Sequence, residues 1–141
     1  MLILAVVVGV AAPRFNRAFR HVQLQRVASD VAGLFAYAST RAVAREEVLR
    51  VHFDVEGRRF WLTRASGPSS EGPFERLTGR IGRTSSVPAA ISWRPSASDV
   101  TFYPDGRADP FEIVIADQSQ EEYRLVTDVW TGRVKVVQRH E

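Results

Sequence analysis

From Met1 to Ala12 the chain carries no polar side chain, and Pro13 then leads into a stretch studded with arginine. A helix of that apolar length measures about 18 Å, against a hydrocarbon core of about 30 Å that takes about 20 residues to cross. The segment as it stands is too short to span a bilayer. Three roles remain: a secretory h-region, a buried core helix, or the surviving half of a membrane helix whose start lies upstream of Met1. Val10-Ala11-Ala12 resembles a small-residue cleavage site, but a basic n-region is missing and proline would succeed the cut. The long helical stretch directly after Pro13 favours the third role.

No helix breaker interrupts the chain from Arg14 to about Glu47, and the apolar positions form two stripes. Phe15, Phe19 and Val22 share one face at i, i+4, i+7 spacing. Leu24, Val27, Val31, Leu34, Phe35, Ala38 and Ala42 share another, rotated by well over 90° at about 100° per residue. One core asks for one stripe. Two stripes imply two partners: the upper half of the helix packs on something outside the domain, and the lower half packs on the chain's own strands.

Beyond residue 48 the pattern shortens to strands. Leu49, Val51, Phe53 and Val55 alternate with Arg50, His52 and Asp54, and a Glu56-Gly57-Arg58 turn returns the chain as Arg59–Arg64. Residues 65–98 are rich in Gly, Pro and Ser, which predicts a mobile loop near 66–73 and a strand only around Ala90–Arg94. The remainder reads as a meander of Val100–Tyr103, Phe111–Ala116, Tyr123–Val129 and Arg133–Val137, joined by turns at 104–107, 117–122 and 131–132. The expected fold class is α+β, a long N-terminal helix on a C-terminal antiparallel β domain of two sheets with five to seven strands. The chain divides into an apolar segment 1–12, an amphipathic continuation 13–47 and a β domain 48–141.

Composition excludes some chemistry. With 45% hydrophobic and 25% charged residues the chain can bury a core, and with no cysteine it can hold neither disulfides nor thiolate-bound metal. His21, His52 and His140 lie far apart without paired-ligand spacing, and no GxSxG accompanies the serines. Asp105 and Asp109 flank a glycine turn without the spacing of an EF-hand, and Gly79-Arg80-Ile81-Gly82 has GxxG spacing but no helix pair around it. Trp61, Trp93 and Trp130 sit in strand-like contexts and are expected in the core. Neither catalytic residues nor cofactors are expected. The net charge of +3 is unevenly spread, with ten arginines against five acids from Arg14 to Arg64, and Arg133, Lys135 and Arg139 close the chain.

The order of these elements, with Ala11-Ala12-Pro13-Arg14-Phe15 ending the apolar helix, resembles type IV pilin-like proteins. Phe102-Tyr103-Pro104-Asp105-Gly106, then Phe111-Glu112-Ile113-Val114-Ile115, then Thr131-Gly132-Arg133-Val134-Lys135-Val136 is similar to the GspH/FimT branch, the minor pseudopilins of type II secretion and their type IV pilus relatives. The resemblance covers essentially the whole chain. It implies a non-enzymatic subunit near the tip of a helical filament of major and minor pseudopilins. Single-pass anchoring in the inner membrane would place the β domain in the periplasm, with Phe15, Phe19 and Val22 as the filament-packing stripe. The family's basic leader and Gly-Phe-Thr-Leu-x-Glu-like processing and methylation motif are absent, so the expected translation start lies upstream. Some pilus-associated relatives bind DNA through a Gly-Arg-x-Arg motif. The alternative implied here is DNA binding through Arg133, Lys135 and Arg139, with lysine in place of the second arginine.

Overall fold

The computed structural model describes residues 2–67, 72–119 and 121–139, with side chains from Val22 onward. Helix α1, Leu2–Arg45, is 44 residues long, about 66 Å at 1.5 Å per residue. The lower stripe is where the helix meets the domain. Leu24, Val31, Phe35, Ala38 and Ala42 are fully buried, Val27 and Ala28 nearly so, and Leu34 packs at the margin. The helix ends without glycine: Glu46 takes the left-handed conformation at φ 53°, and the Glu47 N–H returns to the Ala42 carbonyl at 3.1 Å. Glu47 then ties the helix end to the domain, accepting from Arg41 at 2.8 Å and facing Arg64 at 3.5 Å.

The strands are β1 Leu49–Asp54, β2 Arg59–Ala65, β3 Phe74–Arg76, β4 Ser85–Ser86, β5 Ser92–Pro95, β6 Asp99–Phe102, β7 Glu112–Ala116, β8 Glu122–Thr127 and β9 Val134–Arg139. They form two antiparallel sheets. The first runs β3-β2-β1-β6 with β4 also on β2, and the second runs β5-β7-β8-β9. The architecture is the expected α+β arrangement of one helix on two sheets. The helix lies over both and contacts β1 and β6 of one and β7, β8 and β9 of the other.

Four sequence expectations are corrected. The segment around residue 100 does not join the meander; β6 crosses to the first sheet and pairs with β1, Leu49 opposite Phe102. Two strands not anticipated between residues 65 and 90, β3 and β4, exist because β2 offers them partners, Ala65 to Phe74 and Phe60 to Ser85. Val55 lies past the end of β1 in the turn and is 46% exposed. Of the tryptophans only Trp93 is in the core; Trp61 is half-buried on the outer face of β2, and Trp130 stands 78% exposed on the β8–β9 turn. Within the loop expected at 66–73, residues 68–71 lie outside the described ones, and Ser66 closes its base through its N–H and hydroxyl on the Pro73 carbonyl.

The core is aromatic at its centre. The Phe35 ring meets Phe53, Phe102 and Phe111 edge-on at centroid distances of 6.1, 5.5 and 5.6 Å, and Phe53 stacks on Phe111 at 5.0 Å. Phe53 and Phe60 reach Trp93 of the second sheet at 5.8 and 6.1 Å. Arg58, held at φ 55°, closes the far end: its guanidinium donates to the carbonyls of Val87, Pro88 and Ile91. Two nitrogens of the planar fork share the work, Nε on Val87 and Nη2 on Pro88 and Ile91.

Phe35→Ala should cost about 3–5 kcal/mol in reversible denaturation, because it empties the point where helix and both sheets meet. Arg58→Lys should destabilise nearly as much as Arg58→Ala, about 1–3 kcal/mol, since either change strands carbonyls that the fork satisfied.

Candidate functional site

Three surfaces carry side chains that could serve a function. The first is the outward face of α1. Val22 is 57% exposed and lies about 200° around the helix from the buried Leu24. Past the exposed Arg26 and Asp30, the exposed positions Gly33, Ala36, Tyr37, Thr40, Val43 and Ala44 include no charged residue. A solvated helix face ordinarily carries charge. The lower stripe is buried in the domain as expected, and from Gly33 to Ala44 the helix also presents a second face whose exposed residues are uncharged. Small residues blur this second stripe in the sequence. Phe15 and Phe19, predicted to share a face with Val22, lie outside the described side chains.

The second surface is the outer face of the first sheet. The His52 ring stacks on Trp61 at 5.5 Å and its Nε2 sits 2.8 Å from the Thr63 hydroxyl. Arg76 covers Trp61 at 5.2 Å, and Arg50 lies 4.0 Å from the centre of the Phe74 ring. Burial lowers the His52 pKa, opposed by Asp99 and assisted by Arg50 and Arg76. Cross-strand register accounts for the arrangement, since His52 faces Trp61 and Arg50 faces both Thr63 and Thr101. Strand alternation shows which residues point outward, but only the pairing shows that they touch.

The third surface is the C-terminal edge. Arg133 precedes β9 in the turn, while Lys135 faces Val126 and Arg139 faces Glu122 across the ladder. All three are exposed. Arg139 makes an ion pair with Glu122 at 3.8 Å, and Arg124 pairs with Glu112 at 3.0 Å on the same sheet. The structure thus places Lys135 and Arg139 on one strand face, with Arg133 entering from the turn, in a setting of mixed charge. The turn itself is rigid: the Asp128 carboxylate accepts from the N–H groups of Trp130 and Thr131 at 2.9 and 3.2 Å. Gly132 lies at φ 68°, where an added Cβ would come within 2.6 Å of Ser39 Oγ and 2.7 Å of the Gly106 carbonyl.

For chemistry the described residues offer little. Among them no group of His, Asp and Glu is placed to hold a metal ion. Both Asp109 oxygens are occupied, accepting from the Tyr103 hydroxyl at 2.8 Å and the Thr101 N–H at 3.2 Å. Asp105 is engaged by Arg107. The GxxG spacing forms a short 3-10 turn, Arg80–Gly82. His21 and His140 lie outside the described side chains. Among the described residues no helix is long and apolar enough to cross a membrane.

Family comparison is consistent with this geometry. The family model for "Type II transport protein GspH" matches residues 27–132, and the chain belongs to that family. In fold it is similar to the minor pseudopilin EpsH from the type 2 secretion system of Vibrio cholerae, with 12% identity, a TM-score of 0.70, and coverage of 84% of this chain and 99% of that one. It is also similar to the type IV minor pilin FimU of Pseudomonas aeruginosa, with 16% identity, a TM-score of 0.61, and coverage of 83% and 90%. No curated protein sequence matches the chain.

These contacts lead to two expected outcomes. His52, with its folded pKa below its unfolded value, stays neutral in the fold while the unfolded chain takes a proton, so stability should fall as pH drops below about 6.5. His52→Gln should flatten that part of a stability–pH curve and leave the limb below about pH 4, where carboxylates such as Asp54 and Asp105 protonate. Gly132→Ala should lower stability by about 1–3 kcal/mol through its backbone conformation alone, read as a drop in Tm.

Proposed function

We propose that this protein is a non-enzymatic minor pseudopilin subunit of a type II secretion pseudopilus, positioned near the tip and supporting assembly and export across the outer membrane. The observation that carries the reading is the doubly committed helix. One face of α1 is sealed into the domain, and the opposite face carries no exposed charge between Asp30 and Arg45. A single filament subunit offers such a face to neighbouring helices, where it is covered only on assembly. Family membership and the EpsH-like fold support the same assignment.

In this reading the apolar start of α1 enters the inner membrane, the β domain stands in the periplasm, and a separate cytoplasmic ATPase supplies the work. Phe15, Phe19 and Val22 pack between subunits, and the same face continues through Tyr37 and Val43. The partners are other major and minor pseudopilins. Processing by a prepilin peptidase and N-terminal methylation belong to this proposal as well.

The chain has no cysteine, so introduced thiols report cleanly. Val22→Cys and Val43→Cys should give oxidative cross-links to other pseudopilins in cells, whereas a cysteine on the β9 face at Gln138 should not enter helix-to-helix products. Val22→Asp should leave the stability of the isolated protein within about 0.5 kcal/mol, as expected for an exposed site, yet fail to restore export in a deletion strain. Normal export by a stably produced Val22→Asp variant would remove the proposal's main support.

A further inference from the structure

The C-terminal edge holds a feature that filament packing through α1 does not use. Among the described residues β9 pairs with β8 alone, so one side of residues 134–138 faces no second strand. Its inward side chains are Val134, which packs at the margin of the core, and Val136, 46% exposed. Next to them, between α1 and the strand, lie two hollows of about 290 and 340 Å³. Small helix residues, Ala28, Ala32 and Ala36, form their floor.

Edge strands in soluble domains are commonly shielded by charged side chains, lysine above all, by an inward-pointing charge, a proline or a bulge. Of these, Val134–Arg139 carries only outward charge. The charge along this segment points outward: Arg133 leads in, Lys135 follows it, and Arg139 is already paired with Glu122 of β8. A second copy of β9 laid along this edge would bring cations against cations. A strand bearing acids at alternate positions would instead face Arg133 and Lys135 with its carboxylates and turn small apolar side chains towards the hollows.

We propose that the free edge of β9 is a docking site for an extended segment of a partner protein in which acidic residues alternate with small apolar ones, bound as a fifth strand of the second sheet. Backbone hydrogen bonds supply a sequence-tolerant share of the affinity, and the alternation supplies selectivity. The turn at Asp128–Arg133, already fixed by the Asp128 carboxylate, pre-orders the start of the edge and lowers the entropic cost of docking. The inference does not depend on the pseudopilin reading, because it rests on the edge of β9, although Ala36 and Thr40 of the outward face of α1 line one of the hollows.

The test uses the full chain in detergent micelles and a short capped peptide alternating glutamate with valine and alanine. Titration should show saturable binding, with slowed amide hydrogen exchange along β9 and little change at Val22–Ala44. Lys135→Glu should weaken binding by about fivefold or more, the scale of one exposed cross-strand ion pair replaced by a repulsion. Val136→Asp should weaken it comparably while leaving the unfolding midpoint unchanged. A peptide with lysine in place of glutamate should not bind. Binding without protection of β9 amides, indifference to Lys135→Glu, or no saturation would each overturn the proposal. So would duplex DNA that binds through Arg133 and Lys135 and that the acidic peptide fails to displace from a chain whose β9 amides stay unprotected.

Discussion

The junction at Phe35 holds the molecule together. One side chain of α1 touches Phe53 of the first sheet, Phe102 at the strand that crosses over, and Phe111 at the entry to the second sheet. Two sheets of four or five short strands have little to hold them in register alone. Edge-to-face aromatic contacts around a helical ring give both sheets a shared anchor, and each such pair adds about 0.5–1.5 kcal/mol beyond burial. Because the helix is clamped on that side, the described residues leave much of its opposite face exposed.

A second junction explains why widely separated motifs belong together. Gly132, from the turn before β9, lies against Ser39 of α1 and the carbonyl of Gly106, and Gly106, from the turn after β6, faces Val43 of the same helix. Each turn has its own internal brace, Asp105 on the Arg107 N–H in one and Asp128 on the Trp130 and Thr131 N–H groups in the other. The Phe102–Gly106 and Thr131–Val136 patterns that suggest the family are therefore packing features. They lock the two turns against the helix, which accounts for their value in recognising the fold without implying any chemistry.

Much of the core is legible in the sequence. The stripe at Leu24, Val27, Val31, Phe35, Ala38 and Ala42 is buried as helical spacing demands, and the alternation at Leu49, Val51 and Phe53 matches the inward face of β1. The failures have a common cause. Trp130 reads as a core residue from its strand-like context, yet the Asp128-capped turn lifts it into solvent. Strands β3 and β4, of three and two residues, are too short to carry a period and exist only through pairing with β2.

The residues by themselves determine local periodicity: a helix with a buried face, strands with alternating faces, and glycine and aspartate turns between them. Each of these is set by neighbours within a few positions, because side-chain direction repeats every 3.6 residues in a helix and every two in a strand. The destination of β6, the outward face of α1 and the open edge of β9 depend instead on which distant segments pair. Those choices are made by contacts among residues far apart in the chain, above all the rings around Phe35. Only the tertiary structure could decide them, since any strand with the same alternation satisfies the same local pattern.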